Sequence, residues 1–209
     1  MRINPVLTDS AEKTATLKTS PDSEAANAIG NVLLPIARMA IANALGQAGQ
    51  VDESSPRLNQ LGASFVTLNQ KGALRGCIGT LEAHRTLLAD IKANALAAAF
   101  RDPRFAPVQV AELAVTQVEV SLLSAIQPIV VNSEREALDV LRPGIDGVVL
   151  EYRHYRSTFL PQVWEQLPEP ELFLAHLKNK AGLPTDFWAE GIRLSIYGVS
   201  KWKELRNET

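Results

Sequence analysis

Residues 63–78 constrain the fold more than any other stretch of the chain. Ala63-Ser64-Phe65-Val66-Thr67-Leu68 is rich in strand formers, Asn69-Gln70-Lys71-Gly72 has turn composition, and a second strand-like run occupies residues 72–78. Two such runs joined by so short a turn pair as an antiparallel hairpin. The return strand runs through Leu74-Arg75-Gly76-Cys77-Ile78-Gly79-Thr80 and holds the single cysteine among 209 residues. Regular alternation puts Arg75, Cys77 and Gly79 on one face, with Leu74, Gly76 and Ile78 on the other and Leu74 and Ile78 buried. A guanidinium and a thiol then stand about 7 Å apart, at roughly 3.4 Å per residue.

That juxtaposition has chemical consequences. A nearby cation favours thiolate over thiol, which makes Cys77 a candidate nucleophile. The forked donors of Arg75 suit a carboxylate or a phosphate. Glycine weakens a strand interior, so Gly76 and Gly79 are expected to admit another backbone or a ligand. The alternative for Cys77 is a small apolar side chain packed in the core. A cysteine nucleophile also needs a base. His84 is near in sequence but past a turn, and Glu119 sits on the polar side of another strand.

The remaining elements mix helices and strands. Leu33, Ile36, Ala37, Ala40, Ile41 and Ala44 form one stripe of an amphipathic helix. Its start is expected near Pro21-Asp22-Ser23 or, if Pro35 interrupts it, near Leu34. Leu88, Ile91, Ala95 and Ala98 mark a second helix between Arg85 and Arg101. It stops at Asp102-Pro103, and Arg101, Asp102, Arg104 and Phe105 read as a charged, solvated corner. Val115–Leu123 alternates as a half-buried strand with Glu119 and Ser121 on its polar side. Ser133 and Glu136 have capping-box spacing. Strands are expected at 146–151 and 157–160, a helical turn from Pro161, a helix over Pro170–Lys180, and a last strand over Arg193–Val199. Without regular βαβ alternation, this order gives an α+β fold with a mainly antiparallel sheet flanked by helices.

Composition narrows the function classes. A net charge of −2 supplies no basic field for nucleic acid. No apolar run approaches the ~20 residues that cross a bilayer, so no membrane partner is expected. One cysteine permits no intrachain disulfide and suits a reducing cytoplasm. His84, His154 and His176 lie far apart, without HxxxH or CxxC spacing, and no glycine-rich phosphate loop or GxSxG elbow occurs. No metal or cofactor is expected. Residues 1–22 read as a disordered tail and 23–209 as a single domain.

Several segments together resemble a known family. They are Phe65-Val66-Thr67-Leu68, Leu74 through Thr80, Ala99-Phe100-Arg101-Asp102-Pro103-Arg104-Phe105, Glu119 through Ser124, Pro143 through Gly147, and Phe159 through Trp164. In this order they are similar to the AMMECR-type domain family, in particular its AmmeMemoRadiSam system protein A group. The resemblance implies two unequal, intimately packed subdomains with a groove beside the Leu74–Thr80 strand. It also implies partnership with a Memo-type protein, itself similar to non-haem iron dioxygenases, and with a radical-SAM enzyme. It carries no settled reaction. Two functions follow. In the first, an accessory component binds a substrate or partner in an anion-binding groove around Arg75 and Cys77. In the second, an enzyme holds a small anionic substrate with Arg75 and Arg104, beside Gly76 and Gly79. There Cys77 is the nucleophile or acid/base, and Glu119 orients it or accepts its proton.

Overall fold

The computed structural model describes residues 21–205, with side chains from residue 28 onward. The expected tail over residues 1–22 lies almost wholly outside the described residues. Strand β1 (Ser64–Gln70) turns through Lys71 and Gly72 into β2 (Ala73–Gly79). Both turn residues have positive φ, 50° and 86°, as a two-residue turn needs to match the twist of the paired strands. Strand β3 (Thr116–Leu123) pairs on the other side of β1, and β8 (Val199–Lys203) pairs with β3. The first sheet therefore has the order β2-β1-β3-β8, antiparallel throughout.

Two helices close one face of this sheet. Helix α1 (Pro21–Ala44) is continuous through Pro35. Pro35 is exposed, and so is Asn31, the residue whose carbonyl loses its amide partner, so water can take the missing hydrogen bond. Leu33, Ile36, Ala37 and Ile41 are at most 1% exposed and meet Leu87, Ile91 and Ala95 of α2 (Leu87–Phe100). Both sets pack on Val66, Leu68, Val118 and Val120. Each large apolar side chain so buried contributes roughly 1.5–3 kcal/mol. A short helix α3 (Val110–Leu113), unexpected from the sequence, leads into β3.

The second lobe holds β4 (Gln127–Ile129), β5 (Gly147–Tyr152), β6 (Tyr155–Phe159) and β7 (Arg193–Tyr197) in the order β4-β7-β5-β6. It also holds α4 (Glu134–Val140), a 3₁₀ turn at Pro161–Glu165 and α5 (Pro170–Ala181). Ser133 caps α4 as its spacing predicts, accepting from the Glu136 amide at 3.2 Å. Trp164 stacks on Phe173 at 3.6 Å and donates to the Asp146 carbonyl at 2.7 Å, which ties the 3₁₀ turn to this core. The fold is α+β.

The expected last strand, Arg193–Val199, is in fact two strands in two sheets. Gly198 separates β7 from β8, and its amide donates to the Ser124 hydroxyl at 2.9 Å. The Ser124 amide donates back to the Gly198 carbonyl at 2.9 Å, so the two chain crossings between lobes are fastened together. Ala63, Leu123, Val149 and Tyr197 form a third apolar cluster at this junction, with Phe65, Leu160 and Val199 around it. No helix among the described residues is long and apolar enough to cross a membrane.

Candidate functional site

The face of the first sheet turned away from α1 and α2 carries two rows of side chains. Cys77, Thr67, Glu119 and Lys203 stand opposite one another across β2, β1, β3 and β8. Gly79, Phe65, Ser121 and Lys201 form the next row. Thr67 donates its hydroxyl hydrogen bond to the Cys77 sulfur at 3.3 Å. Cys77 and Glu119, two strands apart, make no direct hydrogen bond, and Thr67 stands between them.

Arg75 is not in this array. Leu68 pairs with Gly76 and Asn69 with Leu74, so Arg75 is the extra residue of a β-bulge. The bulge shifts the alternation and turns Leu74 to the Cys77 side, where it is 42% exposed rather than buried. Arg75 turns instead to Glu112 at the end of α3, donating through Nε at 2.9 Å and Nη2 at 3.1 Å. Its side chain is 14% exposed. Hydrogen bonds from Arg75, with further ones from the Gln109 amide and Gln70, push Glu112 down to about 2. The expected guanidinium–thiol pair on one face is therefore absent, because a single extra residue separates the two side chains. Of the two partners expected at the glycines, a backbone or a ligand, the structure shows protein. A Cβ on Gly76 would lie 2.2 Å from the Ala98 carbonyl oxygen, and one on Gly79 would lie 2.2 Å from the Phe65 ring. Both admit protein atoms rather than a ligand.

The corner after α2, rather than Arg75, is what closes over Cys77. Asp102 is buried rather than solvated, because the Asp-Pro turn folds back onto the open edge of β2. Its carboxylate accepts from the Cys77 amide at 2.8 Å and from Arg104 Nε and Nη2 at 2.9 and 2.7 Å. Arg104 Nη2 also donates to the Cys77 carbonyl at 3.2 Å. The exposed backbone groups of an edge strand are thus closed by one acid and one base. The Arg104 guanidinium, then the amides of Cys77 and Arg104, hold the Asp102 carboxyl far below the usual carboxylate range, against the opposing effect of burial. Arg104 itself is 54% exposed, and among the described residues no hydrogen bond uses its Nη1.

Thr80, at the end of the same strand, is committed to structure. Its hydroxyl donates to Asp90, a fully buried acid on α2 that also receives Ser64, Arg85 and Asn94. Four donors satisfy this charge where water is absent.

Between the outer face of the first sheet and the Pro161–Glu165 turn lies a groove of about 550 Å³. Cys77, Thr67, Glu119, Ser121, Arg104 and Lys201 line it from the first lobe, with Phe65, Leu74 and Val199. Gly144, Leu160, Pro161, Gln162 and Glu165 form the facing wall. The structure therefore brings together Cys77, Glu119 and Arg104 and leaves out Arg75, Gly76, Gly79 and His84. His84 is exposed, with Nδ1 2.9 Å from the Glu82 carbonyl. Sequence reasoning missed Thr67, Ser121, Gln162, Glu165 and Lys201 as groove residues. Thr67 could have been found by pairing the two hairpin strands, whereas Lys201 comes from a strand that was not anticipated.

Known proteins share this architecture. The AMMECR1 family model matches residues 34–202. Protein MJ0810 of Methanocaldococcus jannaschii is 38% identical over 181 residues, covering 84% of this chain and 90% of the relative. A protein of Sulfolobus acidocaldarius is 35% identical over 190 residues, covering 87% and 84%. The crystal structure of uncharacterized protein PH0010 from Pyrococcus horikoshii superposes with a TM-score of 0.71 at 32% identity, covering 85% of this chain and 92% of that one. The chain belongs to the AMMECR1 family.

Proposed function

We propose that the groove binds a small ligand through Arg104 and that the protein is an accessory, binding component rather than a thiol enzyme. One observation carries this reading: the backbone of Cys77 is already occupied. Its amide, the natural oxyanion donor beside a thiol nucleophile, is committed to Asp102 at 2.8 Å. No histidine is among the residues that line the groove. Arg104 keeps an exposed guanidinium edge for a carboxylate or phosphate, so the anion-binding role passes from Arg75 to Arg104. The resemblance to AmmeMemoRadiSam system protein A supports a place beside a Memo-type protein and a radical-SAM enzyme. The single cysteine supports a cytoplasmic setting.

A second reading has its own support. The Thr67 hydroxyl donates to the Cys77 sulfur, which lines the groove, and Glu119 stands in the same row. Two measurements separate the readings. Adipate, a small dicarboxylate, is expected to raise the melting temperature of the wild type and of Cys77→Ser alike, and to leave Arg104→Gln unchanged. A covalent adduct on Cys77 in protein isolated from its own cells, discharged on incubation, overturns the binding reading in favour of thiol chemistry.

A further inference from the structure

Among the described residues, the carboxylates that are at least half-buried are paired with one exception. Among the described residues, the buried and half-buried acids are Asp90, Asp102, Glu112, Glu119, Glu134, Asp146, Glu151 and Glu204. Seven of them form ion pairs, with Arg85, Arg104, Arg75, Lys178, Arg142, Arg156 and Arg38. Glu119 alone has neither an ion pair nor a hydrogen bond among the described residues, and it lies in the floor of the groove. Lys203 faces it across β3 and β8 by register, yet no ion pair within 4.0 Å joins them. The Glu119 carboxylate opens onto the groove, so a cation arriving there would gain an ion-pair partner not already taken by another described residue.

We propose that the ligand of this groove is an extended zwitterion, with its anionic end on Arg104 and an ammonium beside Glu119. This rests on the reading of the groove as a small-ligand site and specifies the charge of that ligand. The groove's charges point the same way. Among the lining side chains Arg104 and Lys201 balance Glu119 and Glu165, so the groove offers both signs of charge rather than a single-sign field. A metal ion is a poorer occupant, since no three His, Cys, Asp or Glu side chains among the described residues are grouped to hold one. The register sets the length. Arg104 is fastened to the Cys77 carbonyl, and Glu119 lies two strands inward, roughly 10 Å at about 4.8 Å per strand. The adjacent charges of an α-amino acid cannot bridge that span. An ω-amino acid or a short peptide can.

Three probes with six-carbon chains separate the charge classes: ε-aminocaproate, adipate and hexamethylenediamine, titrated into the full isotope-labelled chain and followed by NMR. ε-Aminocaproate is expected to bind about tenfold tighter than adipate, the gain of one charge-assisted contact. Glu119→Gln should reverse this order, weakening ε-aminocaproate and tightening adipate. Glu119 holds no other protein group among the described residues, so the variant should keep the wild-type spectrum away from the groove. Adipate or the diamine binding the wild type as tightly as ε-aminocaproate overturns the zwitterion. If adipate does so while losing affinity in Arg104→Gln, the anion site stands without its ammonium subsite. No binding by any probe, or binding indifferent to Arg104→Gln, overturns the groove reading itself.

Discussion

The two faces of the first sheet are made by the same strands and finished in opposite ways. On the inner face Val66, Leu68, Val118 and Val120 disappear beneath α1 and α2, and Gly76 lets the α2 backbone approach until no side chain would fit. The one buried acid packed at the edge of that layer, Asp90, is held by Ser64, Thr80, Arg85 and Asn94. On the outer face Thr67, Cys77, Glu119 and Ser121 border an open groove, and Glu119 holds no other described residue. Bonding capacity is used up on one side and left over on the other. The difference separates residues whose side chains hold the fold from residues that face the open groove, even where the two alternate along one strand.

The comparison can be broken most severely at the glycines. Gly76→Val should destabilise by about 4 kcal/mol or more, because the new side chain meets the Ala98 backbone rather than a movable side chain. Gly144→Ala, at the groove rim in open space but with φ of 76°, should cost only about 1 kcal/mol. Denaturant midpoints of the two variants measure the contrast.

A matched pair of charge removals sharpens it next. Asp90→Ala leaves Arg85 without its buried partner and should cost about 3–5 kcal/mol. Glu119→Gln should change stability by no more than about 0.5 kcal/mol. Equal losses in the two variants would contradict the assignment of Glu119 to function.

Acid should weaken the fold through the structural carboxylates. Glu112 and Asp102 have depressed folded-state values, so each binds fewer protons folded than unfolded at moderately acid pH. Their stabilisation is complete above the unfolded carboxylate range and is lost as pH falls, for Glu112 between its ordinary 4.5 and about 2. Stability measured across that interval should fall less steeply in Glu112→Gln than in the wild type. The smallest expected effect lies on the outer face: Thr67→Val, which removes only the contact to the Cys77 sulfur, should leave stability within about 1 kcal/mol.

Much of this was legible in the sequence, and the failures have physical causes. The hairpin, the α2 stripe and the polar side of β3 follow from periodicity, which local sequence encodes directly. The position of Arg75 does not, because one bulged residue reverses every face assignment beyond it while leaving the composition unchanged. Asp102 read as a solvated helix end because only the tertiary fold brings it back against β2. Likewise Gln162, Glu165 and Lys201 reach the groove from segments that meet only once the lobes pack. The family segments border the groove, and only the contacts show which of their side chains face it.

The central claim is that the outer face presents an anion-binding groove at Cys77 organised by Arg104. Alkylation of Cys77 by iodoacetate and by iodoacetamide tests it directly, since the two reagents differ in the carboxylate. The rate ratio of iodoacetate to iodoacetamide should be severalfold higher than for a free cysteine thiol under the same conditions, and should fall to the free-thiol value in Arg104→Gln. A wild-type ratio equal to that of the free thiol, or one that survives the loss of Arg104, would contradict the account.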